Sequence, residues 1–156
     1  PNDPELQRNL MFDTRFHDVD RLIEGLQTGV LPYSELSNIA AAIQEAIQTT
    51  PTIERYALDL CRATREPGAF GIAIDGVDIN RLIQSGVSPR GMGMLIRAAK
   101  VMAWLNNRDS LVPEDIHAVF SETIAHRVFF TPVYELRRSQ VATSLIRQII
   151  ERVAAP

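Results

Sequence analysis

A helical spacing of apolar residues runs through most of this chain. Pro4 to Phe12 predicts a short helix, because proline suits a first-turn position and Glu5 suits the positive end of the helix dipole. A less regular stretch follows, up to Pro32-Tyr33-Ser34. Ser34 can cap a helix in which Leu36, Ile39, Ala40, Ile43 and Ile47 recur on one face. Thr50-Pro51 ends that helix and starts the next, which runs to about Arg65 with Ile53, Ala57, Leu60, Cys61 and Thr64 on one side. Glu66-Pro67-Gly68 then breaks the pattern, and residues 67–86 predict a loop with one helical turn around Asp78 to Gln84. Three further helices are predicted over Ser88 to Asn107, Pro113 to His126 and Ser139 to Val153, the last with Val141, Leu145, Ile149 and Val153 as its core stripe. The expected fold is an all-α bundle, with 1–156 as one helical domain.

The helix over 88–107 is the axis of this expectation. From Met92 to Leu105 only Gly93, Arg97 and Lys100 interrupt the apolar residues, which predicts a helix surrounded by others. Gly91 and Gly93 each cost up to about 1 kcal/mol relative to alanine in a helix interior. Either a neighbouring helix packs closely there, or a ligand or another domain approaches the backbone. Ser88 is a natural N-cap and Pro89 suits the first helical position, which puts Arg90 in the first turn. A cation there opposes the helix dipole at a cost of at most about 1 kcal/mol. Arg90 is therefore either a solvated side chain that tolerates its place or a group that meets an anion such as phosphate. Arg97 and Arg108 fall near the same angular stripe, with Met94, Val101 and Trp104 interleaved.

Charge narrows the choice. Sixteen bases against nineteen acids give a formal net charge of −3 over 156 residues. Residues 1–60 hold most of the acidic excess and residues 61–156 hold more bases than acids, so an anion site belongs to the later part. Four bases on one helix of a chain with pI near 5.6 are too small an electrostatic footprint for a nucleic-acid partner. The one cysteine, Cys61, fits a reducing cytoplasm and reads as a small buried apolar residue. No apolar run approaches the roughly 20 residues that span a bilayer, which predicts no membrane insertion. His17, His117, His126 and Cys61 share no metal-ligand spacing, so no metal site is expected. Asp18, Asp20, Glu114 and Asp115 read as surface or first-turn carboxylates. The chain opens Pro1-Asn2-Asp3-Pro4 without methionine, as a piece of a longer protein does.

One ordered set of residues carries more than pattern. Gly86-Val87-Ser88-Pro89-Arg90-Gly91, the apolar helix, Asn107-Arg108-Asp109, Val112-Pro113-Glu114-Asp115-Ile116 and His126-Arg127 together resemble the C-terminal helical lid of MoxR-type AAA+ ATPases. Arg62-Ala63-Thr64-Arg65 is similar to the helix that precedes the Ser-Pro-Arg turn in that family. The resemblance covers essentially the whole chain. It implies that Arg90 is the sensor 2 arginine, which reaches the γ-phosphate of ATP, and that Pro89, Gly91 and Met94 contribute to the nucleotide cleft. Mg2+ and most phosphate contacts would belong to an α/β core, because this chain has no G-x-x-x-x-G-K-[ST] loop and its single lysine is Lys100. On that reading the chain alone is inactive. The implied partners are its own core domain, neighbouring subunits of a hexameric ring and protein clients, von Willebrand factor A-domain proteins among them, in chaperone-like remodelling or metal-insertion maturation. The alternative is a free-standing helical interaction module. Two departures stand out: residues 67–86 are long for a lid, and Val112 replaces a common capping threonine at a cost of about 1 kcal/mol.

Overall fold

The computed structural model describes residues 3–25 and 33–156. By its contacts the chain divides into two units, residues 1–37 and 38–156. In the first, helix α1 spans Pro4–Phe12. Asp3 caps it, its Oδ1 accepting from the amides of Glu5 at 2.9 Å and Leu6 at 3.3 Å. The stretch expected to be irregular contains a 3-10 turn over Thr14–Phe16 and a short helix α2 over Val19–Glu24, each started by an aspartate, Asp13 and Asp18. Local side-chain to backbone bonds from aspartate, rather than apolar periodicity, produce these elements. Leu10, Met11, Phe12 and Val19 are exposed on this unit, and none of its described residues is buried.

The second unit is the expected all-α bundle. Helix α3 runs over Leu36–Ala46, all but its first two residues in this unit. Ser34, expected as its cap, instead lies inside a 3-10 turn over Tyr33–Glu35 that feeds into it. Thr50 caps α4, Pro51–Arg65, by accepting from the Ile53 amide at 3.3 Å. Residues 67–86, expected as a loop with one helical turn, hold two 3-10 turns, over Pro67–Phe70 and Ile79–Arg81, and end in a strand. Strand β1, Ile83–Ser85, leads into α5 over Pro89–Leu105 and α6 over Pro113–Ile124. Strand β2, Phe129–Phe130, pairs antiparallel with β1, which sequence patterning did not predict. Helices α7, Pro132–Glu135, and α8, Arg138–Arg152, complete the unit.

The core is one cluster drawn from α3, α4, α5, α6 and α8 together with Leu82, Val87, Leu111, Val128 and Phe130. On α8 the buried residues Val141, Leu145 and Ile149 follow the expected stripe. Tyr56 on α4 and His117 on α6 are joined through the tyrosine hydroxyl and Nε2 at 2.5 Å. Burial, with a smaller effect from Glu114, raises the pKa of that hydroxyl. The expectation that α5 is enclosed on all sides is not met. It buries only Gly91, Leu95, Ala99 and Ala103, a narrow stripe at four-residue spacing, whereas α4 buries seven residues. Three of those four α5 residues are Gly or Ala, so α6 can lie close along the stripe. Met94, Trp104 and Leu105 remain exposed.

The turn between α5 and α6 explains Asn107-Arg108-Asp109 and Val112 to Ile116. Asp115, expected at the surface, is buried at 1% exposure. Its carboxylate accepts from Arg108 Nη1 at 2.6 Å, from the Asn106 side-chain amide and Val112 N–H at 3.3 Å each. The Asp115 bond to the Val112 amide partly replaces the cap that valine cannot supply. Arg108 therefore leaves the stripe it shares with Arg90 in a straight-helix projection: α5 ends at Leu105, Asn107 turns the chain with φ 55°, and the guanidinium is committed to Asp115. The link before α4 joins here too, with the Gln48 amide donating to Asp109 O at 2.8 Å and Leu111 N–H donating to Gln48 O at 2.9 Å. Asp115→Ala leaves three donors without their acceptor, and urea denaturation should show a loss of about 2 kcal/mol. Exposed Glu122→Ala on the same helix should stay within about 0.5 kcal/mol of the parent.

Candidate functional site

The head of α5 is fixed from two sides. On one, the Val87 amide donates to Thr64 Oγ1 at 3.1 Å and the Val87 carbonyl accepts from Arg65 Nη2 at 2.9 Å. Thr64 Oγ1 in turn donates to Cys61 O at 2.7 Å, so a buried hydroxyl joins the end of α4 to the residue before Ser88. The Cys61 thiol lies beside the Val87 carbonyl, and burial raises its pKa, as befits a packing residue rather than a nucleophile. On the other side, Thr131 donates to Leu82 O through its amide at 2.9 Å and to Arg81 O through its hydroxyl at 2.7 Å. The chain entering α5 is thus held between α4 and β2.

Two glycines make this possible, and a third does something else. A Cβ on Gly86 would lie 2.4 Å from Arg65 Cγ and 2.9 Å from Thr64 O. On Gly91 it would lie 2.6 Å from Val87 Cγ2 and 3.0 Å from Arg127 Cδ. Close packing therefore explains Gly91, with Val87 and the Arg127 side chain in the place expected for a neighbouring helix. Gly93 has nothing within 4 Å of its Cβ position and faces solvent.

Ser88 caps α5 as expected, its Oγ accepting from the Gly91 amide at 3.2 Å while its carbonyl takes the Met92 amide at 3.0 Å. Pro89 has no amide to offer. The first-turn amide left over is that of Arg90, and the Arg90 side chain is exposed without a hydrogen bond or ion pair among the described residues. It borders a concavity of about 430 Å³ lined by Ser85, Gly86, Ser88, Arg90, Gly91, Met94, His126, Arg127 and Phe129. No carboxylate lines it. Such a wall suits an anion, with Met94 and the exposed Phe129 offering apolar surface beside the cations.

The structure therefore brings Arg90, Gly91 and Met94 together, while Pro89 starts the helix without lining the concavity. Arg97 is exposed farther along α5, where its carbonyl accepts from Gln44 Nε2 at 3.2 Å. Lys100 Nζ donates to Gln44 O at 2.8 Å. With Arg108 paired and Lys100 turned to α3, the continuous basic stripe dissolves. Sequence reading missed Arg127 and Phe129 as members of the site. His126-Arg127 was visible as part of the resemblance, but no helical spacing connects it to Arg90; the β1–β2 pairing does. Among the described residues no group of three or more His, Cys, Asp or Glu could hold a metal ion, and no helix is long and apolar enough to cross a membrane.

The AAA lid domain family matches residues 78–151, from the turn before β1 to the end of α8. Over all 156 residues the chain is 53% identical to Protein MoxR of Methylorubrum extorquens and 42% identical to Protein MoxR of Paracoccus denitrificans. Residues 78–151 form an AAA lid of the MoxR type. The chain spans 46% of the length of each of those relatives. A 2.00 Å crystal structure of a candidate ATPase from Cytophaga hutchinsonii superposes with TM-score 0.70 at 25% identity, covering 99% of this chain and 44% of that one. Within the lid, Gly86 and Gly93 are opposite tests of backbone approach. Gly86→Ala forces a methyl against the α4 backbone and should cost about 1–3 kcal/mol in urea denaturation. Gly93→Ala meets open space and should gain up to about 1 kcal/mol.

Proposed function

We propose that this lid serves an ATP-hydrolysing MoxR-type protein, with Arg90 as its sensor 2 residue. The carrying observation is the Arg90 guanidinium, unpaired among the described residues, on a concavity with no carboxylate in its wall. A first-turn arginine works against the helix dipole until an anion arrives; phosphate supplies one. The free Arg90 amide and the neighbouring Arg127 fit the same ligand class. ATP and Mg2+ supply the phosphoryl group and its charge neutralisation in the α/β core, and this chain contributes the arginine that faces the terminal phosphate. Pro89 and Gly91 set the start of α5, and Met94 offers an apolar contact to the nucleotide one turn deeper. The reading extends the lid from the matched residues to 1–156, which the similarity to the MoxR proteins over all 156 residues of this chain supports.

Arg90 stands on a helix whose position depends on α4 and β2, so a contact at its guanidinium reaches the bundle directly. The lid then reports nucleotide state to its core and to neighbouring subunits of a ring, and the work done is chaperone-like remodelling or maturation of protein clients. Against a free-standing nucleic-acid module stand the internal commitments of Lys100 and Arg108.

In the full-length protein, Arg90→Ala should lower ATP turnover at least about tenfold, which needs some 1.4 kcal/mol of lost transition-state stabilisation. The fold should be intact, because removing an unpaired first-turn cation relieves the helix end slightly. Arg97→Ala, two turns on and outside the concavity, should have a smaller effect. Unchanged turnover in folded Arg90→Ala protein would remove the sensor role.

A further inference from the structure

We infer that Arg127 is a second phosphate-binding residue of the same site, holding nucleotide in the ground state beside Arg90; this rests on the nucleotide reading above. Arg127 follows the end of α6 in a 3-10 turn over Ala125–Arg127. Its position is set by three contacts. Nη1 donates to Thr123 O at 2.9 Å and lies against Nε2 of His126. The side-chain stem packs on the first turn of α5, with Cδ 3.0 Å and Nε 3.6 Å from where a Cβ on Gly91 would stand. The guanidinium is therefore held beside the residue that follows Arg90, and Gly91 is the residue that admits it.

What the side chain lacks is as informative as what it has. Among the described residues Arg127 has no carboxylate partner, and its Nε and Nη2 donate to nothing. The other half-buried arginines near helix ends are paired: Arg108 with Asp115 and Arg138 with Glu135. A partly buried guanidinium with one end tied to a carbonyl and its remaining donors unused is preorganised for an incoming anion, because little rotamer freedom is left to lose. Arg90 differs. It is exposed and untethered, so it can follow a phosphate that changes position, whereas Arg127 offers a fixed contact. Fixed contacts that bind substrate and transition state equally change KM rather than kcat.

A purely structural role is the competing account, since the stem fills the space over Gly91 and Nη1 closes the end of α6. Arg127→Met separates the two: it keeps an unbranched stem on Gly91 and removes the charge and the free donors. In the full-length protein the variant should raise the KM for ATP and the Kd for ADP, measured by calorimetry, at least about fivefold. Its kcat and thermal unfolding midpoint should stay near the parent's. If Arg127→Met lowers the unfolding midpoint, Arg127→Lys is read instead; it retains the cation but loses the fork, and should still weaken ADP binding at an unchanged midpoint. Parent-like KM and Kd in the folded variant overturn the inference. The two readings fail separately. Arg90→Ala with reduced turnover beside a parent-like Arg127→Met removes only Arg127. Weak ADP binding in Arg127→Met beside normal turnover in Arg90→Ala removes only the sensor role. No change in nucleotide handling by either variant removes the nucleotide site altogether.

Discussion

The bond from the Val87 amide to Thr64 Oγ1, made possible by the missing side chain of Gly86, is the constraint on which the rest of this lid turns. It places the entry to α5 against the end of α4 at a buried polar contact. Polar groups buried in a core must be satisfied, and here the threonine hydroxyl both accepts from Val87 and donates to Cys61 O. Because each partner is fixed by the other, the direction in which Ser88, Pro89 and Arg90 leave the core is set by hydrogen-bond geometry rather than by apolar packing alone. Arg65 adds a second hold on the Val87 carbonyl. The Arg62-Ala63-Thr64-Arg65 and Gly86-Val87-Ser88 segments, distant in sequence, are two halves of one joint.

Most of the fold was legible because its helices announce themselves by spacing and by punctuation. Pro4, Pro51, Pro89, Pro113 and Pro132 each stand in the first turn of a helix, and Asp3, Thr50 and Ser88 cap theirs. Where the apolar signal was short, polar chemistry decided instead: α2 is a six-residue helix started by Asp18. The burial of α5 was overestimated because apolar composition reports what a helix tolerates, not how many neighbours it has. Trp104 and Leu105 belong to the apolar run that predicts an enclosed helix, yet they are exposed in the bundle, as is Met94, which the resemblance assigns to the cleft.

The site was half legible. Arg90 stood out because it violates the dipole rule at a well-capped helix start, and a local violation is visible in one dimension. Arg127 and Phe129 break no local rule. They reach the concavity through a two-strand pairing whose register is irregular between Ile83 and Ser85, too short to give a period-two pattern. Arg108 erred in the other direction: its angular alignment with Arg90 assumed a helix that continues past Leu105, and the buried Asp115 turns the chain away.

The pairing of β1 with β2 also bears on where the stability of the site comes from. Between Ile83 and Phe130 the chain runs out and back through α5, α6 and the turn between them. Closing so long a loop for so short a ladder carries an entropic cost that the helix packing has to offset first. The wall that joins Arg127 and Phe129 to Arg90 therefore leans on the helix packing for its stability rather than on its own ladder. By the same balance, so short and irregular a ladder adds little local stability of its own compared with the long α5–α6 seam.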